Sequence, residues 1–318
     1  MKNILILLVL LLGACNSKPS QNVEAPKKNE QSSVSLYILG TVQDGGSPHI
    51  GCQKSCCEDL FDNPDPSRKV VSLGVVDHQN VKSYLFEATP DLPTQLKLLK
   101  GHKKDNKETP DGIFMTHAHI GHYAGLMFFG REALGGKNIP VYAMPKMKAF
   151  LETNGPWQQL VNLNNIDLIS IQNEVEMALT ENLKVMPFTV PHRDEYSETV
   201  GYKIIGPNKS ALFIPDIDKW SKWEKDIVKE IEKVDFAFLD ATFFDGPEIN
   251  SRNIAEIPHP FVVESMDLFN SLPEGEKSKV YFIHFNHTNS LLDANSVQYK
   301  EVIEAGFNIA AFDQKFNL

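Results

Sequence analysis

Cysteine is scarce in this chain: there are four in 318 residues, at positions 15, 52, 56 and 57. That excludes a small secreted scaffold held together by many disulfides. Basic charge is also in deficit, with 31 Lys and Arg against 41 Asp and Glu and a net charge of -10. No basic stripe is available to neutralise phosphates, which excludes nucleic acid as a partner. Beyond residues 4–12 there is no long apolar run and hence no second membrane-spanning candidate. No internal repeat is visible, which excludes a repeat array. What remains is ordinary for a globular protein, 42% hydrophobic and 23% charged. From Val34 onward the chain is long enough for one domain with a sizeable core.

The N-terminus carries its own signal. Met1-Lys2-Asn3 is a short basic region, residues 4–12 are continuously apolar, and Leu12-Gly13-Ala14-Cys15 follows. Such a run is too short for a permanent span and reads as a secretory signal. Small residues before a single Cys resemble a bacterial lipoprotein cleavage box, which implies that Cys15 is lipidated. Residues 1–15 are thus expected to be a signal ending at Cys15. Residues 16–34 are polar and Pro- and Lys-containing, and are expected to be a tether. Residues 35–318 would form the folded domain, exported and held at a bacterial membrane by the lipid alone.

The densest chemical signal is Thr116-His117-Ala118-His119-Ile120-Gly121-His122. Three imidazoles occur within six residues, directly after the apolar run Gly112-Ile113-Phe114-Met115. An apolar run that ends in a His-rich turn reads as a buried strand delivering side chains to a site edge. His117 and His119 point the same way while the chain stays extended, and neutral imidazole is the commonest metal ligand. A metal site is therefore expected.

Strand-like runs lie at 36–39, 70–76, 82–87, 113–115, 141–143, 168–171, 183–190, 199–205, 210–214, 236–239, 280–283 and 309–312. Helical patterns are expected at 92–100, 123–129, 146–152, 218–233, 261–270 and 297–305. Within 218–233, Trp220, Trp223, Ile227 and Ile231 recur at helical spacing, with Asp218 as N-cap. Early strands paired locally and later strands separated by helices predict a layered α/β protein of mixed sheets flanked by helices.

Three further strands end in metal-binding residue types. The runs at 183–190, 210–214 and 280–283 lead to His192, Asp216 and His284 respectively, with His287 three residues after the last. Ligands collected from several strand ends are how sheet proteins build sites.

With these positions set out, the chain resembles the metallo-β-lactamase superfamily from about Leu36 to nearly the C-terminus. That family carries His-x-His-x-Asp-His, then a His, an Asp and a last His, each at a strand end. The resemblance implies an αββα sandwich with the site along one edge of two sheets. It implies one metal on His117, His119 and His192, a second on His122 and His284, and Asp216 bridging both. The motif's Asp falls at Gly121, so the second position loses a carboxylate, and a single or weakly held second metal is expected.

Ala88-Thr89-Pro90-Asp91-Leu92, Leu239-Asp240-Ala241-Thr242-Phe243 and the segment from Phe282 to Asn289 are similar to the pyrroloquinoline-quinone biosynthesis protein B subgroup. So is the cysteine cluster after Gly45-Gly46-Ser47-Pro48. That likeness implies a structural zinc on clustered cysteines and, as activity, iron-dependent hydroxylation of a tyrosine-containing substrate. Cys52, Cys56 and Cys57 can supply thiolates to a tetrahedral zinc, with His49 or an acidic group as the fourth ligand. A disulfide is the competing expectation, although three cysteines would leave one thiol over.

The leading functional expectation is a membrane-anchored, exported zinc hydrolase acting on a small-molecule ester, phosphodiester, lactone or lactam. Zinc on three histidines lowers the pKa of its water to about 7. Asp216 would orient that water or accept its proton. His259, in Ile257-Pro258-His259-Pro260, stands where phosphodiesterase-like relatives carry a catalytic His; that resemblance implies a proton donor, and the favoured alternative is a loop His held between prolines. Two rivals are kept: an iron-dependent oxygenase at the same site, and a non-enzymatic metal-binding lipoprotein. Imidazole suits zinc and iron about equally.

Overall fold

The computed structural model describes residues 32–249 and 253–318. The expected signal, the lipidation at Cys15 and all but the end of the expected tether lie outside the described residues. Among the described residues no helix is long and apolar enough to cross a membrane.

Two seven-stranded sheets form the frame. The first draws on β1 (Val34–Gly40), β2 (Ser72–Asp77), β3 (Lys82–Phe86), β4 (Gly112–Phe114), β5 (Ile139–Ala143) and β6 (Ile166–Ser170). The second draws on β7 (Met177–Ala178), β8 (Lys184–Thr189), β9 (Val200–Ile205), β10 (Ser210–Ile214), β11 (Phe236–Asp240), β12 (Val280–Ile283) and β13 (Asn308–Ile309). The last strand, β14 (Lys315–Asn317), returns to the first sheet beside β1. The strand orders are β14-β1-β2-β3-β4-β5-β6 and β13-β12-β11-β10-β9-β8-β7.

Period-two alternation explains why both faces of each sheet are covered. Along β1, Leu36 and Ile38 enter the core between the sheets, while Tyr37 and Leu39 face the helical layer outside. Phe114 turns inward against Phe86 and Tyr202, while Ile113 and Met115 pack outward with Leu92 and Leu99. On the second sheet Ala211 and Phe213 point inward, and Leu212 and Ile214 pack against Ile227, Val262 and Phe269. Three hydrophobic layers therefore separate four structural layers: helix, sheet, sheet, helix. The expected αββα sandwich of mixed sheets is what the chain forms.

One expected helix is broken. Residues 218–233 form a short turn, Trp220–Lys222, and a separate helix, Ile227–Glu232. The two indoles account for the break. Trp220 donates to Ser265 Oγ at 2.9 Å and Trp223 to the Thr189 carbonyl at 3.0 Å, so they are tied to different elements. Trp223 is extended, and Asp226 rather than Asp218 caps the helix, accepting from the Val228 N–H. The expected helix at 123–129 is also split, into Ile120–Tyr123 and a tighter turn at Ala124–Phe129.

In each sheet the run of parallel strands matters most for function. β3 to β6 run parallel, as do β10 to β13. Parallel strands bring their carboxyl ends to one edge, where ligands collect.

Candidate metal centre

Glu87 follows β3, His117, His119 and His122 follow β4, and Asp216 follows β10. Asp240 ends β11 and His284 follows β12. The Val200 N–H donates to the Thr116 carbonyl across the two sheets at 3.2 Å, so the His-rich turn is held against the second sheet. There it meets His192, just beyond β8.

Asp216 is the centre of the arrangement. Its Oδ2 lies 3.3 Å from His117 Nε2, 3.6 Å from His122 Nε2, 3.9 Å from His119 Nδ1 and 4.0 Å from His284 Nε2. Its Oδ1 lies 3.2 Å from His192 Nε2 and 3.1 Å from His259 Nδ1. The donor atoms of His117, His119, His192 and Asp216 lie within 4.8 Å of one another. All six imidazoles and Asp216, each singled out in the sequence, are thus brought together.

Outer partners choose which ring nitrogen faces the centre. Thr116 Oγ1 meets His117 Nδ1 at 2.9 Å, and Glu87 Oε2 lies 3.3 Å from His122 Nδ1. Thr242 donates its hydroxyl proton to Asp240 Oδ1 at 2.7 Å, so its oxygen accepts from His284 Nδ1 at 2.8 Å. Each contact leaves Nε2 turned toward Asp216. Glu87 and His284 both hold left-handed backbone, with φ of 81° and 71°. Such conformations cost about 1–3 kcal/mol each and persist where the surroundings impose them.

The electrostatics follow from this packing. Burial, together with the neighbouring His122, holds His117 well below the usual imidazole range, and burial lowers His192 to about 4. Both are therefore uncharged at neutral pH, the form a metal needs. Burial alone would raise Asp216, but His192, His259 and His284 outweigh it and hold the carboxyl well below its ordinary range. Burial also opposes charge on His122 and His259. Glu87 nevertheless pushes His122 up to about 9, and Asp240 with Asp216 pushes His259 up to about 10.

A metal ion fits this donor set. His117 Nε2, His122 Nε2, both nitrogens of His192, His284 Nε2 and Asp216 Oδ1 are buried without a protein hydrogen-bond partner. Buried polar atoms are nearly always satisfied, so the four Nε2 atoms left unpaired around Asp216 call for a cation.

Besides Glu87, two acids beyond the expected set belong here. Asp240 is fully buried, accepts from the Ile217 and Thr242 N–H groups, and holds His259 Nδ1 at 2.9 Å. Asp44 groups with His122 and His284, their donor atoms within 4.8 Å of one another. Asp240 ends an apolar strand just as Asp216 follows one, so the same pattern could have exposed it. Asp44 sits in a loop with no such pattern.

The cysteine cluster differs from the expectation in its fourth member. Cys52, Cys57 and His287 bring their donor atoms within 4.8 Å of one another, so His287, three residues after His284, belongs with the cysteines. His49 instead stacks on His287 at 4.4 Å and donates its backbone N–H to Cys57 Sγ. Cys56 Sγ is 3.9 Å from both other sulfurs. No disulfide joins the three. A backbone hydrogen bond at Lys54 lowers Cys52, whereas burial and Cys57 push Cys56 up to about 12.

Comparison with known proteins bears on the family and the fold. The family model described as a beta-lactamase superfamily domain matches residues 82–285. Coenzyme PQQ synthesis protein B of Methylococcus capsulatus is 24% identical over 304 residues, covering 86% of this chain and 97% of its own length. The protein of the same name from Acinetobacter baumannii strain ACICU is 23% identical over 300 residues, with 86% and 97% covered. The crystal structure of Zn(2+)-bound PqqB from Methylobacterium extorquens superposes with a TM-score of 0.73 at 20% identity, over 89% of this chain and all of that one.

These relatives correct the expected membrane-anchored, exported hydrolase of ester, phosphodiester, lactone or lactam bonds. Proteins co-extensive with almost the whole domain carry the name of a cofactor-synthesis protein. The physical reason is that a His-x-His ligand pattern selects a metal and leaves the reaction open.

Proposed function

The chain belongs to the beta-lactamase superfamily domain family, a metallo-β-lactamase-fold group whose enzymes include hydrolases and oxygenases, and from that premise we propose that it is an iron-dependent oxygenase of the PqqB type. The observation that carries this reading is the set of buried Nε2 atoms of His117, His122, His192 and His284, without a protein hydrogen-bond partner around Asp216, in a chain co-extensive with PQQ synthesis proteins. The substrate class is a small molecule or peptide bearing a tyrosine-like phenol. The balanced reaction consumes one dioxygen, with two electrons and two protons from an external reductant and solvent, inserts one oxygen atom into an aromatic C–H bond and releases the other as water.

His117, His119, His192 and Asp216 would hold the iron, with the Nε2 atoms of His122 and His284 3.6 and 4.0 Å from Asp216 Oδ2. Bound iron supplies the one-electron chemistry that dioxygen reduction requires. The chain's own residues set charge and protons around it. His259 holds a proton at Nδ1 between the Asp240 and Asp216 carboxylates, 2.9 and 3.1 Å away. Thr242 and Asp240 fix the His284 ring, and Glu87 fixes His122. Cys52, Cys57 and His287 would hold a structural zinc that pins the preceding loop.

The test is oxygen uptake by iron-loaded protein with tyrosine-containing peptides and a reductant, followed by mass spectrometry. A gain of one oxygen atom that disappears under nitrogen is expected. Turnover that continues without oxygen, or no product with any phenolic peptide, would sink the proposal.

A further inference from the structure

The superfamily motif places an aspartate where this chain has Gly121, and the structure shows what fills that space. A Cβ built on Gly121 would lie 2.2 Å from Asp44 Cβ and 2.7 Å from its Cα and carbonyl oxygen. No side chain fits at 121 while Asp44 passes there, so the glycine and Asp44 are a matched pair. Asp44 is delivered by backbone pairing. Phe285 donates to the Thr41 carbonyl and Gln43 to the Phe285 carbonyl, both at 2.8 Å. Val42 bridges Val70 as well, so the strand-like segment 41–43 is gripped from both sides. Asp44 therefore emerges beside His284, the residue just before Phe285.

The carboxylate of Asp44 groups with His122 and His284, all donor atoms within 4.8 Å of one another. Both histidines are fully buried, and the Nε2 of each has no protein partner. Those same nitrogens lie 3.6 and 4.0 Å from Asp216 Oδ2. We infer that Asp44 supplies the carboxylate absent at position 121, completing a second cation position with His122 and His284 beside Asp216. The loss of the motif's aspartate thus relocates a ligand, and the centre is dinuclear. This inference rests on the reading of the histidine cluster as a metal centre.

Zinc alone is the probe, with the full chain dialysed to equilibrium at a fixed free Zn2+ concentration and zinc per chain counted by elemental mass spectrometry. Asp44→Asn keeps shape and removes charge, and it should bind one zinc fewer than wild type, with affinity at that position down at least about tenfold. Gly121→Ala attacks the same pair from the other side, displacing Asp44, and should lose the same equivalent. His117→Ala should instead lose the zinc held by His117, His119 and His192. Wild-type zinc content and affinity in Asp44→Asn would overturn the inference, as would loss of all histidine-bound zinc in that variant. A wild type holding a single histidine-bound zinc would overturn the second position and leave the proposed function standing. A wild type holding none there would overturn both.

Discussion

The histidine–carboxylate centre and the cysteine cluster use similar ligand types but are held in different ways. Around Asp216 every partner except His259, which lies in the loop before the helix Val262–Phe269, comes from a strand end or the segment that follows it, and ring orientations are set by Thr116, Glu87 and Thr242. The cysteines sit in the loop leading into Ser55–Asp62 and at that helix's start, where Cys52 and Cys56 are only partly buried. Strands packed on both faces resist displacement, so the first site is preorganised before any ion arrives. The second gains its order from the ion that it would hold.

Removing Asp216 should break the comparison hardest. Asp216→Ala leaves six imidazoles without their shared carboxylate, and turnover should fall by more than the roughly 10–100-fold that loss of an outer partner costs. Metal at the cysteine cluster should be retained, as elemental analysis would show; loss of both would mean that the two sites are not independent. Asp240→Asn should be milder, lowering turnover about 10–100-fold because His259 and His284 lose their anchor while the direct ligands remain. A variant with unchanged rate would remove Asp240 from the machinery.

Cys57→Ser tests the other side of the comparison. It should lose the cysteine-bound metal and lower the melting temperature by a few degrees, with histidine-bound metal unchanged. An unchanged melting temperature and metal content would refute the structural zinc.

The smallest effect concerns a charge cluster that needs no metal. Asp111 accepts from the Ser83 N–H and from Lys103 and Lys107, at 2.9, 3.0 and 3.0 Å. Burial would raise its carboxyl, but these donors outweigh it and lower it to about 2. A lowered folded-state value stabilises the fold above the unfolded carboxyl's range near 4 and loses that contribution as pH falls through about 2. The stability margin of wild type over Asp111→Asn should therefore be constant from pH 7 to about 4 and shrink below it. Denaturant unfolding at several pH values would check this, and a margin independent of pH would refute it.

The strand-end histidines were legible because apolar runs and polar turns leave a sharp local contrast. Phe114 followed by His117, and Ile283 followed by His284, announce a buried strand meeting a site. The same local rule misled at 218–233, where helical spacing was real but Trp220 and Trp223 found partners on different elements. It also assigned His49 to the cysteines, because nearness in sequence was the only guide; His287 reaches them through the fold.

By itself the sequence determined the layered α/β class, the imidazole set and Asp216, because hydrophobic period and ligand chemistry are local properties. Only tertiary structure decided that Asp240 anchors His259, that His287 joins the cysteines, and that Asp44 occupies the space beside Gly121. Each depends on segments distant in the chain converging at one edge, a consequence of core packing between two sheets that no single stretch of residues encodes.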